Sequence, residues 1–270
     1  MKILFLLFFI VSCSSSRIER KIEDVSWDTL ADETYLRWGE KRLAKHANPN
    51  HKVVQCHQGE IRQTLNQFRN SYTSKENDQY YWLHLGNCYF LKDSWIKAEF
   101  YYRLFLDEIK TQTMKSVALN NLGLIYLKYE QWEKAKDYLI QSSVLAPRFK
   151  VPKFNLAQLY LQFGHHDKTI EILTGNIFNS DKDIDVYFTL ANAYLFKGDI
   201  AKTKYYFSLI PSEHFSREDI AATYALFLMK LGYNKEAFSI MGRRVRSNVL
   251  EVTAISQKIE KVLLQRMKEE

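Results

Sequence analysis

Residues 82–98 read WLHLGNCYFLKDSWIKA, a stretch in which Trp82, Leu85, Gly86 and Tyr89 are followed by Ala98. The pattern returns down the chain. Gly86, Gly123, Ala157, Ala191 and Ala225 are separated by 37, 34, 34 and 34 residues. Leu85, Leu122, Leu156, Leu190 and Tyr224 precede them, and Tyr89, Tyr126, Tyr160, Tyr194 and Leu228 follow three residues later. A third set, Ala98, Ala135, Thr169, Thr203 and Ala237, stands four residues before Tyr102, Leu139, Leu173, Phe207 and Met241. Gly164, Gly198 and Gly232 share a further column, so five of the nine glycines occupy two columns and chance is excluded. Apolar residues three and four apart predict two helices of about twelve residues per unit. Small residues in the Gly86 and Ala98 columns let those helices approach closely, and the Tyr89 and Tyr102 columns fill the space beside them. One such hairpin cannot bury its own apolar face, so neighbouring units must stack.

Composition agrees. The 270 residues are 46% apolar and 26% charged, as in a folded soluble domain. Nine Gly and four Pro are too few for a disordered, collagen-like or all-β chain. Three cysteines cannot form the disulfide framework of a small secreted domain. The net charge of +7 says little if it is spread evenly, whereas a basic excess on one face would suggest phosphate, nucleic acid or an acidic partner.

Trp82-x2-Leu85-Gly86-x2-Tyr89 continuing to Ala98 resembles the tetratricopeptide repeat (TPR), and five such units run from Gln79 to about Asn248. The repeat's closing proline is present only as Pro147, and its opening Trp is replaced by Leu119, Lys153, Tyr187 and Ala221. The 37-residue first unit predicts a longer loop around Lys110–Thr113. The resemblance implies an all-α fold, a right-handed TPR superhelix or α-solenoid of about five to six helical hairpins. Residues 79–248 hold the five units. Residues 27–78 hold a leading helix and a degenerate repeat. Residues 249–270 form a capping helix, with Val252, Ile255, Ile259, Val262 and Leu263 on its apolar face.

The N-terminus carries a separate message. Residues 1–12 place one lysine before an apolar run too short to span a bilayer as a mature helix, as in a secretory signal peptide. Ile10-Val11-Ser12-Cys13 resembles a bacterial lipobox, which implies cleavage after Ser12 and lipidation of Cys13, palmitate included. Several acyl chains anchor stably where one would not. Ser14 in place of Asp favours the outer membrane, with residues 13–26 as a tether and the repeats facing the periplasm.

In TPR domains the first helix of each unit lines a groove. The resemblance puts Asn87, Asn120, Asn121, Asn155, Gln158 and Asn192 there, a set of carboxamides able to pair with a peptide backbone. Phe90, Phe154, Phe188 and Phe196 would add apolar anchors. The alternative is that the amides bond to neighbouring helices and the phenylalanines complete the core. Tyr80, Val117, Val151, Asp185 and Asp219 occupy the position where a carboxylate clamp needs lysine, so no such clamp is expected.

Other candidates read as structural. His165-His166 is expected in a solvated turn, since adjacent histidines point apart. His46, His51 and His57 near Cys56 lack the spacing of a zinc site. Cys56 and Cys88 are expected as buried free thiols, with a disulfide as the alternative. Arg243-Arg244-Val245-Arg246 reads as a solvated helix end, or else as a contact for lipid phosphates or an acidic partner. No catalytic signature, cofactor motif or nucleic-acid signature is present, and no metal or cofactor is expected. The chain therefore reads as a non-enzymatic scaffold, similar in build to type IV pilus pilotins, that binds an extended or helical protein segment and assists assembly of an envelope machine such as a pilus and its secretin. The alternatives are a barrel-assembly lipoprotein, or an adaptor that presents substrates to a periplasmic protease or cell-wall enzyme, with a homodimer partner filling the groove.

Overall fold

The computed structural model describes residues 78–175, 178, 183–246 and 250–269. The signal, tether, leading helix, degenerate repeat, Cys13, Cys56 and the His46–His57 cluster lie outside them. Among the described residues the chain is an all-α succession of helical hairpins, an α-solenoid. Helix α1 (Asp78–Leu91) pairs with α2 (Trp95–Glu108), and α3 (Gln112–Lys128) with α4 (Trp132–Leu145). Then come α5 (Lys150–Gln162) and α6 (His166–Leu173). The pair α7 (Ile184–Lys197) and α8 (Ile200–Ser208) is followed by a 3-10 turn at Ser212–Ser216. Helices α9 (Glu218–Lys230) and α10 (Asn234–Gly242) pair in turn, and α11 (Leu250–Glu269) packs on both. No helix of the described residues is long and apolar enough to cross a membrane. Two compact units divide at Leu156/Ala157, within α5.

The small-residue columns act as the sequence implies. A Cβ on Gly86 would stand 2.3 Å from Tyr102 Cε1, and one on Gly123 would stand 2.9 Å from Leu139 Cγ. Tyr102 and Leu139 are themselves fully buried. In the first unit Leu83, Tyr102, Phe105, Met114, Leu122, Ile125 and Phe154 make the core. In the second, Phe188, Phe207, Ile220, Phe227 and Met241 form it, closed by Ile255, Ile259 and Leu263 of α11.

The extra length of the first repeat does not enter a loop. Only Ile109, Lys110 and Thr111 separate α2 from α3, and the insertion instead lengthens α3 to 17 residues against 13 in α5 and 14 in α7. Thr111 is extended and starts α3 early, so Gln112 and Thr113 are helical.

The turn between the helices of a unit is the same in all five. Gly164, Gly198 and Gly232 are left-handed, with φ of 75°, 82° and 85°, and the equivalent Asp93 and Glu130 are too, at 59° and 58°. Position thus dictates the conformation even where the residue resists it. Another recurring feature went unread in the sequence. Lys97, Lys134, Lys168 and Lys202 hold Nζ 4.8–5.4 Å from the ring centroids of Tyr89, Tyr126, Tyr160 and Tyr194. Tyr101, Tyr138 and Tyr206 stack on three of the same rings at 5.2–5.5 Å. Four of the five units therefore tie their second helix to their first through an aromatic–cation contact, and the fifth has Leu228 in place of the tyrosine.

Glu130→Gly should raise stability by about 0.5–1 kcal/mol, because it relieves a left-handed non-glycine residue. Gly198→Ala should cost about 1 kcal/mol through backbone strain alone, since the space for its Cβ is open apart from Lys230 Nζ at 3.9 Å. Urea denaturation of the two variants measures both.

Candidate functional site

The carboxamides expected to line a groove fall into two groups. In the unit ending at Leu156, they are bonded to one another. Tyr102 OH donates to Asn87 Oδ1 at 2.7 Å, and Asn121 Nδ2 donates to the same oxygen at 2.9 Å. Asn120 Nδ2 donates to Asn121 Oδ1 at 2.9 Å, and Asn155 Nδ2 to Asn120 Oδ1 at 2.8 Å. This directed relay joins α5, α3 and α1, and all four asparagines are at most 1% exposed. Phe90 and Phe154 are buried in the same unit. Substituting Asn121 or Asn155 would therefore disturb stability as well as any surface.

In the unit beginning at Ala157 the amides behave differently. Asn192 Nδ2 donates back to Phe188 O at 3.1 Å, and Phe188 is part of the core. Gln158 Nε2 donates to Thr189 Oγ1 at 2.6 Å, and Thr189 Oγ1 donates to Asp185 O at 2.6 Å. Gln158 Oε1 is buried without a hydrogen-bond partner, and so is Gln162 Oε1 one turn further on. Phe196 is half-buried and stacks on His166 at 5.5 Å and 11°. His165 is exposed, as a turn residue should be, but His166 is not fully solvated. Burial holds the His166 pKa below the ordinary histidine value; Lys197 and His165 push the same way and Asp167 opposes them.

Two arginines organise the same unit, and sequence reasoning missed both roles. Arg217 sits before α9, where its neighbour Ser216 O accepts a 2.7 Å hydrogen bond from Val245 N. Its guanidinium reaches Asp185 Oδ1 at 3.0 Å and Asp219 Oδ2 at 2.8 Å. The two aspartates are 0% and 1% exposed. Burial opposes the charge on Arg217, but Asp219 and Asp185 outweigh it and push the pKa up. Arg244 reaches Glu218 Oε1 at 3.3 Å and Glu260 Oε2 at 2.6 Å, and Thr253 Oγ1 donates to Glu218 Oε2 at 3.0 Å. These bonds join α9 to α11. The Arg244 side chain is only 8% exposed, so the solvated-end reading fails for it, while Arg243 and Arg246 are exposed. A third node joins α2 to α3. Arg103 and Tyr126 OH both bond Glu99 Oε1, at 2.8 Å each. Burial resists ionisation of Glu99, but those hydrogen bonds prevail and lower its pKa.

Cys88 is buried and disulfide-bonded, which corrects the expectation of a free thiol. Among the described residues no group of three His, Cys, Asp or Glu side chains is arranged to hold a metal.

Among solved structures, the chain is similar to a tetratricopeptide repeat protein from Parabacteroides merdae ATCC 43184, at 15% identity and a TM-score of 0.56, over 80% of this chain and 82% of that one. The chain has the tetratricopeptide-repeat fold. It is similar also to a chain of the APC/C hetero-tetramer Cut9–Hcn1, at 14% identity and a TM-score of 0.52, over 90% of this chain and 57% of that one. No family model matches, and no curated protein matches.

Arg217→Met should cost about 3–5 kcal/mol, because two buried carboxylates lose their cation. The loss should shrink as pH falls and those carboxylates take up protons. Urea denaturation of wild type and variant across pH checks both statements.

Proposed function

We propose that the chain is a lipid-anchored TPR scaffold that holds a protein segment in the bacterial periplasm and assists assembly of an envelope machine, a pilus and its secretin or one of similar build. The observation that carries the reading is the pairing of a TPR fold with the Ile10-Val11-Ser12-Cys13 lipobox. Cys13 is the acylated residue in this reading and the outer membrane is the destination. The disulfide at Cys88 suits it, because disulfides persist in oxidising compartments. The partner lies along the first helices of the units. In one unit the half-buried Phe196 and the Gln158 amide serve it, while Phe188, fully buried, completes the core and Asn192 bonds back to Phe188 O, so neither is an anchor. In the other, Asn87, Asn120, Asn121 and Asn155 form a bonded framework beside Phe90 and Phe154.

Cys13→Ala should move the protein out of the outer-membrane fraction on sucrose-gradient separation, and retention there would reject the anchor. Crosslinking in native envelopes, read by mass spectrometry, should enrich a secretin or another assembly component. Recovery of proteases or wall enzymes instead would make the chain an adaptor, and crosslinks only to itself would make it a homodimer.

A further inference from the structure

Cys88 points away from both helices that pack on α1. Trp82 and Tyr89 stack against Tyr101, and Gly86 lies under the Tyr102 ring, so these three residues face α2. Asn87 faces α3, where Asn121 donates to it. Each residue of an α-helix turns about 100° about the axis. Cys88 therefore points about 100° away from both Asn87 and Tyr89, into an arc that it shares with His84 and Leu85.

That arc is sealed. His84, Leu85 and Cys88 are 5%, 3% and 1% exposed. In the next repeat the equivalents of Leu85 and Cys88 are Leu122 and Ile125, both fully buried, and there α2, the second helix of the preceding hairpin, packs on α3. The corresponding seat on α1 belongs to chain that precedes Asp78. A terminal helix of a solenoid turns a polar face outward, and Leu85 with Cys88 does not make one.

Covalent chemistry names the segment. The chain has three cysteines, Cys13, Cys56 and Cys88, and Cys88 is disulfide-bonded. A Cys13 sulfur held as a thioether to lipid has no thiol left to pair. We infer that Cys56 is the partner of Cys88, and that this disulfide fastens the stretch of chain around Cys56 onto the His84, Leu85 and Cys88 face of α1 as an oxidation-dependent seal on the first repeat. The inference rests on the acylation of Cys13 proposed above. Closing the bond takes two electrons and two protons from the two thiols. A thiol–disulfide oxidoreductase of the envelope receives them, and its own disulfide becomes a dithiol. Cys88 is too deeply covered for an oxidant to reach in the finished fold, so the bond closes while the chain folds after export. Acylation of Cys13 also directs the pairing, because it removes the competing thiol.

Non-reducing peptide mapping by mass spectrometry tests the pairing. The full-length protein is taken from native envelopes with free thiols blocked by N-ethylmaleimide. A peptide pair joined through Cys56 and Cys88 is expected. A pair joined through Cys13 and Cys88 would overturn both the inference and the lipid anchor. Cys88 recovered as a blocked free thiol, or joined to a second chain, would overturn the inference and leave the anchor standing. A Cys56–Cys88 pair beside an unacylated Cys13 would uphold the pairing and reject the anchor. Thermal melting tests the seal. Cys56 and Cys88 are 32 residues apart, so dithiothreitol should lower the wild-type melting temperature by about 10 °C. Cys56→Ala should melt about as low and no longer respond to the reductant. A wild-type melting temperature unchanged in reductant, with the bond shown open by thiol labelling, would mean that the disulfide seals nothing and would overturn the inference.

Discussion

The closeness of the two helices in each hairpin is the constraint on which the rest depends. At Gly86 there is no room for a side chain, because the Tyr102 ring lies where a Cβ would be. The same ring projects its hydroxyl to Asn87 Oδ1, which also accepts from Asn121. The glycine thus does more than admit a bulky neighbour. It fixes how far Tyr102 reaches and so the end of a polar relay that passes through α3 to α5. A larger residue at position 86 would displace the ring and break a hydrogen bond between repeats as well as a contact within one.

Much of this was legible in the sequence because it depends on steric size, and size is written in residue type. The Gly86 and Ala98 columns, the hairpin count and the apolar face of α11 could be read directly. The left-handed turns were readable at Gly164, Gly198 and Gly232 but hidden at Asp93 and Glu130, where position overrides residue preference. The insertion in the first repeat was visible as length, but its place was not. Thr111 and its polar successors carry no breaker, so the helix simply begins earlier.

Charge was the least legible element. Arg217 meets an aspartate 32 residues away, and Arg244 meets a glutamate 26 residues away, on helices that neither belongs to. In the sequence Arg244 looks no different from Arg243 and Arg246, yet it alone of the three is held by two carboxylates. The signal that could have found it is the acidic column at the start of the later first helices, Asp185 and Glu218-Asp219, which needs cations if buried. Asp185 and Asp219 were instead read only as arguments against a clamp.

The carboxamides show why a ladder of equivalent residues need not have equivalent roles. An asparagine relay can be carried from helix to helix when each amide meets another amide, since every member offers both a donor and an acceptor. At Gln158 the neighbour is a threonine whose proton is already committed, so the relay cannot continue and an acceptor is left over. The change from Asn155 to Thr189 and Thr223 in one column is therefore a change of bonding partner, from a neighbouring helix to the residue's own. Upstream, the amides are occupied by the fold. Downstream, hydroxyls turn back to carbonyls of their own helices, at Asp185 O and Asp219 O, and the Gln158 amide oxygen is left without a hydrogen-bond partner. Carboxamides on successive first helices thus make different bonds, set by whether the residue each one meets still has a proton or an acceptor to offer.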